Sequence, residues 1–144
     1  MKTNKYLIRF FQVGSGSKGG DAILIRLFDG NDKEHLVLID GGYKETGDSI
    51  IKYIKSECST LHIDVVFNTH PDKDHISGLV TVLDNDDITV GALVLNRPWK
   101  DAKFTKEMFD DSRITANSLI KRLKDAFGYA DDLEQVARDR KIDI

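Results

Sequence analysis

Ile63-Asp64-Val65-Val66-Phe67-Asn68-Thr69-His70-Pro71-Asp72-Lys73-Asp74-His75-Ile76-Ser77-Gly78-Leu79-Val80 is the stretch on which the fold turns. Its opening residues are mostly branched or aromatic, and such side chains suit a pleated strand better than a helix. Pro71 and its polar neighbours interrupt that run. From Ile76 the period changes. Ile76, Leu79, Val80 and Leu83 recur at the spacing of one helix face. A strand, a tight polar turn and a helix are therefore expected, with His70, Asp72, Asp74 and His75 crowded at the turn.

The same alternation extends in both directions. Residues 89–96 read as the next strand. Upstream, Ile50, Ile51, Ile54 and Cys58 form a helical stripe that Thr46 or Asp48 can cap, and residues 35–39 form the strand before it. This β-α-β-α-β order favours right-handed crossovers onto one sheet. Residues 6–13 and 21–28 are two earlier strands, separated by a glycine-serine turn over 14–20 and followed by Asp29-Gly30-Asn31-Asp32. Such short links favour an antiparallel meander. The apolar runs Ala22-Ile23-Leu24-Ile25 and Val37-Leu38-Ile39 imply a sheet covered on at least one face. The fold class is thus α+β, a mixed sheet covered by helices.

Beyond residue 96 the pattern is mainly helical. Ser112 is the expected cap of a helix carrying Ile114, Leu119, Ile120, Leu123 and Phe127, which Gly128 would end. Asp131 and Asp132 suit the start of another, packed through Leu133, Val136 and Ala137. Residues 99–111 are read as an excursion over the site. Residues 141–144 read as the opening of a further strand.

Composition excludes several classes. The 144 residues, 40% hydrophobic and 31% charged, suit one ordinary domain rather than a disordered chain. A net charge of -3 supplies no global field for nucleic acid. One cysteine rules out a disulfide framework or cysteine-rich zinc knot, and Cys58 is expected to pack rather than react. No signal-peptide pattern or run of about 20 apolar residues is present, so a cytoplasmic protein without a membrane segment is expected.

Imidazole and carboxylate are natural ligands for zinc, manganese or iron, and neighbouring carboxylates repel unless a cation or proton lies between them. The competing reading has Asp72 or Asp74 capping the following helix and His70 closing the strand. Both stand at this point. The Gly14–Gly20 run lacks the lysine-hydroxyl pair of a phosphate loop and precedes a strand, so it reads as a turn, with Lys18 solvated. His35 reads as a surface residue, and His62 begins a strand with no ligand partner nearby in sequence. Arg97, Trp99 and Lys100 could meet a nucleic-acid backbone and base, or form a rim salt bridge around a partly buried indole.

Three motifs occur together: Gly19-Gly20-Asp21-Ala22, Leu38-Ile39-Asp40-Gly41-Gly42, and Thr69-His70-x-Asp72-x-Asp74-His75-x-x-Gly78-Leu79. In order and spacing they resemble the metallo-β-lactamase fold superfamily, most of all the hydrolase domain of bacterial competence DNA-uptake proteins. The resemblance implies the αβ/βα architecture of that superfamily. It implies that His70 and Asp72 are ligands of a first metal, with Asp72 at a position more often histidine. Asp74 and His75 would be ligands of a second, and Asp74 would also help position the attacking hydroxide. Asp40 would brace the metal turn without binding directly, and Asp21 would support the site nearby. A pair of zinc or manganese ions about 3.5–4 Å apart would activate water and stabilise developing charge. A phosphodiester or nucleic-acid substrate fits this branch better than a β-lactam.

The family pattern also calls for later ligands, including two further histidines. The four histidines here are His35, His62, His70 and His75. The resemblance therefore implies a domain over residues 1–144 that corresponds to the amino-terminal half and is truncated at the carboxyl end, completed by a missing carboxyl-terminal portion or another subunit. The expected function is metal-dependent hydrolysis with an incomplete site in this chain. The alternatives are a noncatalytic binding or assembly fragment of the same fold, and an intact small structural protein.

Overall fold

The computed structural model describes residues 5–15, 19–107 and 114–144. Strands β1 (Lys5–Phe10), β2 (Ile23–Phe28), β3 (Glu34–Ile39), β4 (His62–Phe67) and β5 (Thr89–Val94) form one sheet in chain order. The first three run antiparallel, as their short links predict. β3, β4 and β5 are parallel, joined by helices α1 (Lys44–Glu57) and α2 (Lys73–Leu83). The mixed α+β sheet expected from the periodicities is the observed one.

Residues paired across strands share a face, so the register assigns each side chain. Leu24, Leu38, Val66 and Leu93 form a row on the helix-covered face and are buried. Ile50 and Ile54 of α1, with Ile76, Leu79 and Val82 of α2, are fully buried with them in the core cluster. Each such side chain contributes about 1.5–3 kcal/mol relative to exposure. The opposite face carries two further apolar rows. Ile8, Ile25, Val37, Val65 and Ala92 form one; Phe10, Ile23, Ile39, Phe67 and Val94 form the other. None of these ten residues is buried.

Several helix ends differ from the sequence reading. α1 begins at Lys44, with Tyr43 at the cap position, so Thr46 and Asp48 lie inside its first turns. The backbone carbonyl of Tyr43 accepts the Thr46 and Gly47 amides, so a backbone turn starts this helix in place of a side-chain cap. On α2, Val82 is buried and Val80 only half-buried. Helix α4 (Ala116–Ala126) is capped by Thr115 in a reciprocal capping box with Ser118; Ser112 lies outside the described residues. Gly128 opens α5 (Gly128–Asp139), and Phe127 serves both as the last cap of α4 and the first of α5.

After β5 comes a 3-10 turn (Pro98–Asp101), then the short helix α3 (Ala102–Glu107). Trp99 is buried and its indole N–H donates to Glu134 of α5 at 2.9 Å. Arg97 binds the same carboxylate at 3.2 Å. Both side chains thus fasten this segment to α5, and the buried indole is not a platform for a base. The closing residues do return to the sheet: Asp143 forms a parallel bridge with Ala92. Among the described residues, no helix is long and apolar enough to cross a membrane.

Candidate metal centre

Asp40 and His70 follow the carboxyl ends of the parallel strands β3 and β4, and Asp21 precedes the adjacent end of β2. Loops at this end of an open α/β sheet converge on one crevice. Helix α2 carries Asp74 and His75 in its first turn and docks against the β3–α1 turn at very close range. A Cβ on Gly78 would lie 1.9 Å from the Gly41 carbonyl oxygen. The Gly78 amide instead donates to the Gly42 carbonyl at 2.9 Å, and the Gly41 amide to the His75 carbonyl at 2.7 Å. Gly20 presses against the first turn of α2, where a Cβ would meet the Asp74 carbonyl oxygen at 2.2 Å. The glycines of the three motifs therefore let three backbone segments meet around the polar cluster.

Asp40 lies at its centre, 1% exposed and in left-handed backbone with φ 53. Its Oδ1 accepts the Thr69 amide at 2.9 Å and the Asn68 side-chain amide at 3.2 Å. Its Oδ2 receives the Thr69 hydroxyl at 2.5 Å and lies 3.0 Å from His75 Nδ1. A carboxylate offers about four acceptor positions, and all four are occupied here. One oxygen of Asp40 and one nitrogen each of His70 and His75 lie within 4.8 Å of one another. The saturation of Asp40 nevertheless favours a bracing role over direct ligation, because binding an ion would displace existing bonds.

The two imidazoles lie close together, with ring centroids 3.7 Å apart and planes at 49°. A carboxylate accepts only, so His75 donates through Nδ1 and its Nε2 carries the free lone pair. That Nε2 lies 3.9 Å from Asp74 Oδ2, while His70 Nε2 lies 3.8 Å from Asp72 Oδ2. Both distances are too long for hydrogen bonds. They exceed by about 0.4–0.5 Å the about 3.4 Å that two tetrahedral ligands of one ion span, so each pair would close slightly on an ion. Asp72 occupies the cap position of α2, but its side chain makes no capping bond and is largely exposed. Its carbonyl accepts the His75 and Ile76 amides instead. The donor set, two imidazoles each facing a carboxylate with no hydrogen-bond partner among the described residues, fits divalent cations.

Asp21 lies at the margin. Its Oδ2 is 4.0 Å from His75 Nδ1, and its carbonyl holds the Gly42 amide at 3.0 Å. Asn68 stands before the third motif and Thr69 opens it, but neither carries a sequence signal of its part in the site. Asn68 is buried; its amide bridges Asp40 and the His70 carbonyl, the latter at 2.8 Å, while its Oδ1 has no partner among the described residues. His35 and His62 stand apart from the cluster. His35 pairs with Asp64 at 2.9 Å and His62 with the Thr89 hydroxyl at 2.9 Å. Cys58 is half-buried, and burial pushes its thiol up to about 11. Lys18 lies outside the described residues.

The family model of the metallo-beta-lactamase superfamily matches residues 16–136. The chain belongs to that superfamily. Its members include hydrolases and generally bind divalent metals. Among solved structures, it is similar to a candidate metallo-beta-lactamase from Thermotoga maritima, with 14% identity and a TM-score of 0.45. That match covers 98% of this chain and 57% of the other. It is also similar to the hydrolase AbOPH of the beta-lactamase superfamily, with 16% identity and a TM-score of 0.45, covering 88% of this chain and 43% of the other. The chain thus spans about half the length of these two structures. No curated protein matches it.

Proposed function

We propose that this protein is the metal-binding half of a phosphodiester hydrolase of the competence-like branch of the superfamily. His70 and Asp72 hold one zinc or manganese ion, and Asp74 and His75 hold a second. The observation that carries this reading is the pair of uncommitted Nε2–carboxylate gaps of 3.8 and 3.9 Å. Bound there, such cations acidify water and neutralise charge on a phosphoryl oxygen. Asp74, at the rim of the crevice, would help position the attacking water. Asp40 holds His75 in position, and Asp21 closes the near side. Asp72, a carboxylate where an imidazole is commoner, makes its site harder and more anionic.

A second β-layer completes the site, contributed by a further carboxyl-terminal portion or another subunit. The ten apolar residues on the uncovered face support this. A sheet apolar on both sides packs a second layer about 10 Å away. Zinc and manganese titration with phosphodiester turnover tests the reading, using the chain alone and together with that layer. Two bound ions and hydrolysis lost on Asp74→Ala are expected for the completed protein. Absence of metal above background in both forms would overturn it. Tight metal without turnover would favour a noncatalytic binding or assembly role.

A further inference from the structure

We infer that Thr69 is a positioning residue that sets the tautomer of His70. The inference rests on the metal-centre reading, since it concerns which nitrogen of His70 is left free for an ion. The Thr69 hydroxyl has two neighbours, Asp40 Oδ2 at 2.5 Å and His70 Nδ1 at 2.9 Å. It has one proton to give. The carboxylate can only accept, and the shorter contact has the length of a charge-assisted O–H···O bond. The proton therefore lies toward Asp40. Thr69 Oγ1 is then left to accept, so Nδ1 of His70 must donate to it. Neutral His70 thus carries its proton on Nδ1 and its lone pair on Nε2, the nitrogen 3.8 Å from Asp72.

Asp40 in this way governs both imidazoles, His75 by direct contact and His70 through one hydroxyl. The Thr69 amide, held by Asp40 Oδ1 at 2.9 Å, fixes the backbone from which that hydroxyl projects. A valine at this position would keep the shape and remove the relay. A serine would keep the relay and lose only a methyl group.

Long-range proton–nitrogen correlation spectra of the full, metal-free chain report the tautomer directly, under conditions where His70 is neutral. The unsubstituted chain and Thr69→Ser should show His70 protonated on Nδ1. Thr69→Val should shift it toward the Nε2–H form and weaken zinc binding by about 10–100-fold in chelator competition. An Nε2–H form in the unsubstituted chain would overturn the inference without any variant. So would Thr69→Val with tautomer and affinity unchanged, an outcome that leaves the metal reading intact. A tautomer that depends on Thr69 in a chain that binds no zinc or manganese, alone or completed, would support the relay and sink the metal reading.

Discussion

At the residue scale, Asp40 concentrates several demands in one position. Its backbone is left-handed, a region that asparagine and aspartate enter more readily than most residues. Its carboxylate collects four contacts from Asn68, Thr69 and His75. Asp40→Asn keeps the backbone preference and the side-chain shape, but sets an NH2 group against donors. Zinc affinity should fall by about 10–100-fold, because the partner that orients His75 is lost. Stability should fall by about 1–3 kcal/mol from buried donors left unpaired. Chelator competition and urea unfolding measure the two effects separately; unchanged affinity would show that His75 needs no acceptor at Nδ1. The crowding of His70, Asp72, Asp74 and His75 was legible from six consecutive residues. The parts played by Asn68 and Thr69 were not, because they depend on how the β3 and β4 ends face each other.

At the element scale, periodicity located the strands and both crossover helices, while their starts were set by tertiary contacts. α1 begins at a backbone turn tied to α2 through the Gly42 carbonyl, so no capping side chain marks it. Gly128 looked like a stop, yet the bend between α4 and α5 is made at Phe127. The ties between elements also include carboxylates whose partners lie far along the chain. Glu34 of β3 is held by Arg26 of β2 and by the Ser59 amide and hydroxyl, both at 2.6 Å. Glu134 of α5 is held by Trp99, Arg97 and Arg138. Burial alone would raise both carboxyls; the hydrogen bonds from Ser59 and Arg26, and from Arg138, Arg97 and Trp99, prevail and hold them below the ordinary 4.5. A depressed folded value means the stabilisation is complete above the unfolded value and is lost as pH falls through the folded one. The urea midpoint should therefore hold between about pH 7 and 5 and drop below about pH 4.5. Glu134→Gln should lower the midpoint at pH 7 and make the acid decline shallower. An equal decline in the variant would assign the acid loss to other groups.

At the scale of the whole molecule, the sheet is finished on one face and, among the described residues, open on the other. The apolar runs of β2 and β3 pointed to a sheet covered on at least one face, but a linear pattern does not say what lies against each side. The register supplies that information, because it aligns Ile8, Ile25, Val37, Val65 and Ala92 across all five strands and places Phe10 through Val94 beside them. Two rows across five strands span about 20 Å along the hydrogen-bonding direction, from spacings of about 4.8 Å. An exposed apolar area of this extent marks an interaction site or an aggregation liability. Ile8 and Val94 stand at opposite edges of the first and second rows and are 45% and 48% exposed, so charging them removes little from the core. Ile8→Lys with Val94→Lys should leave the unfolding free energy from urea titration within about 1 kcal/mol of the parent. The same change should reduce self-association of the chain in light scattering and, on the proposed function, abolish the docking of a second β-layer. Unaltered association would show that the open face is not where the second layer docks. The proposed second layer would then have to dock on another side of the molecule.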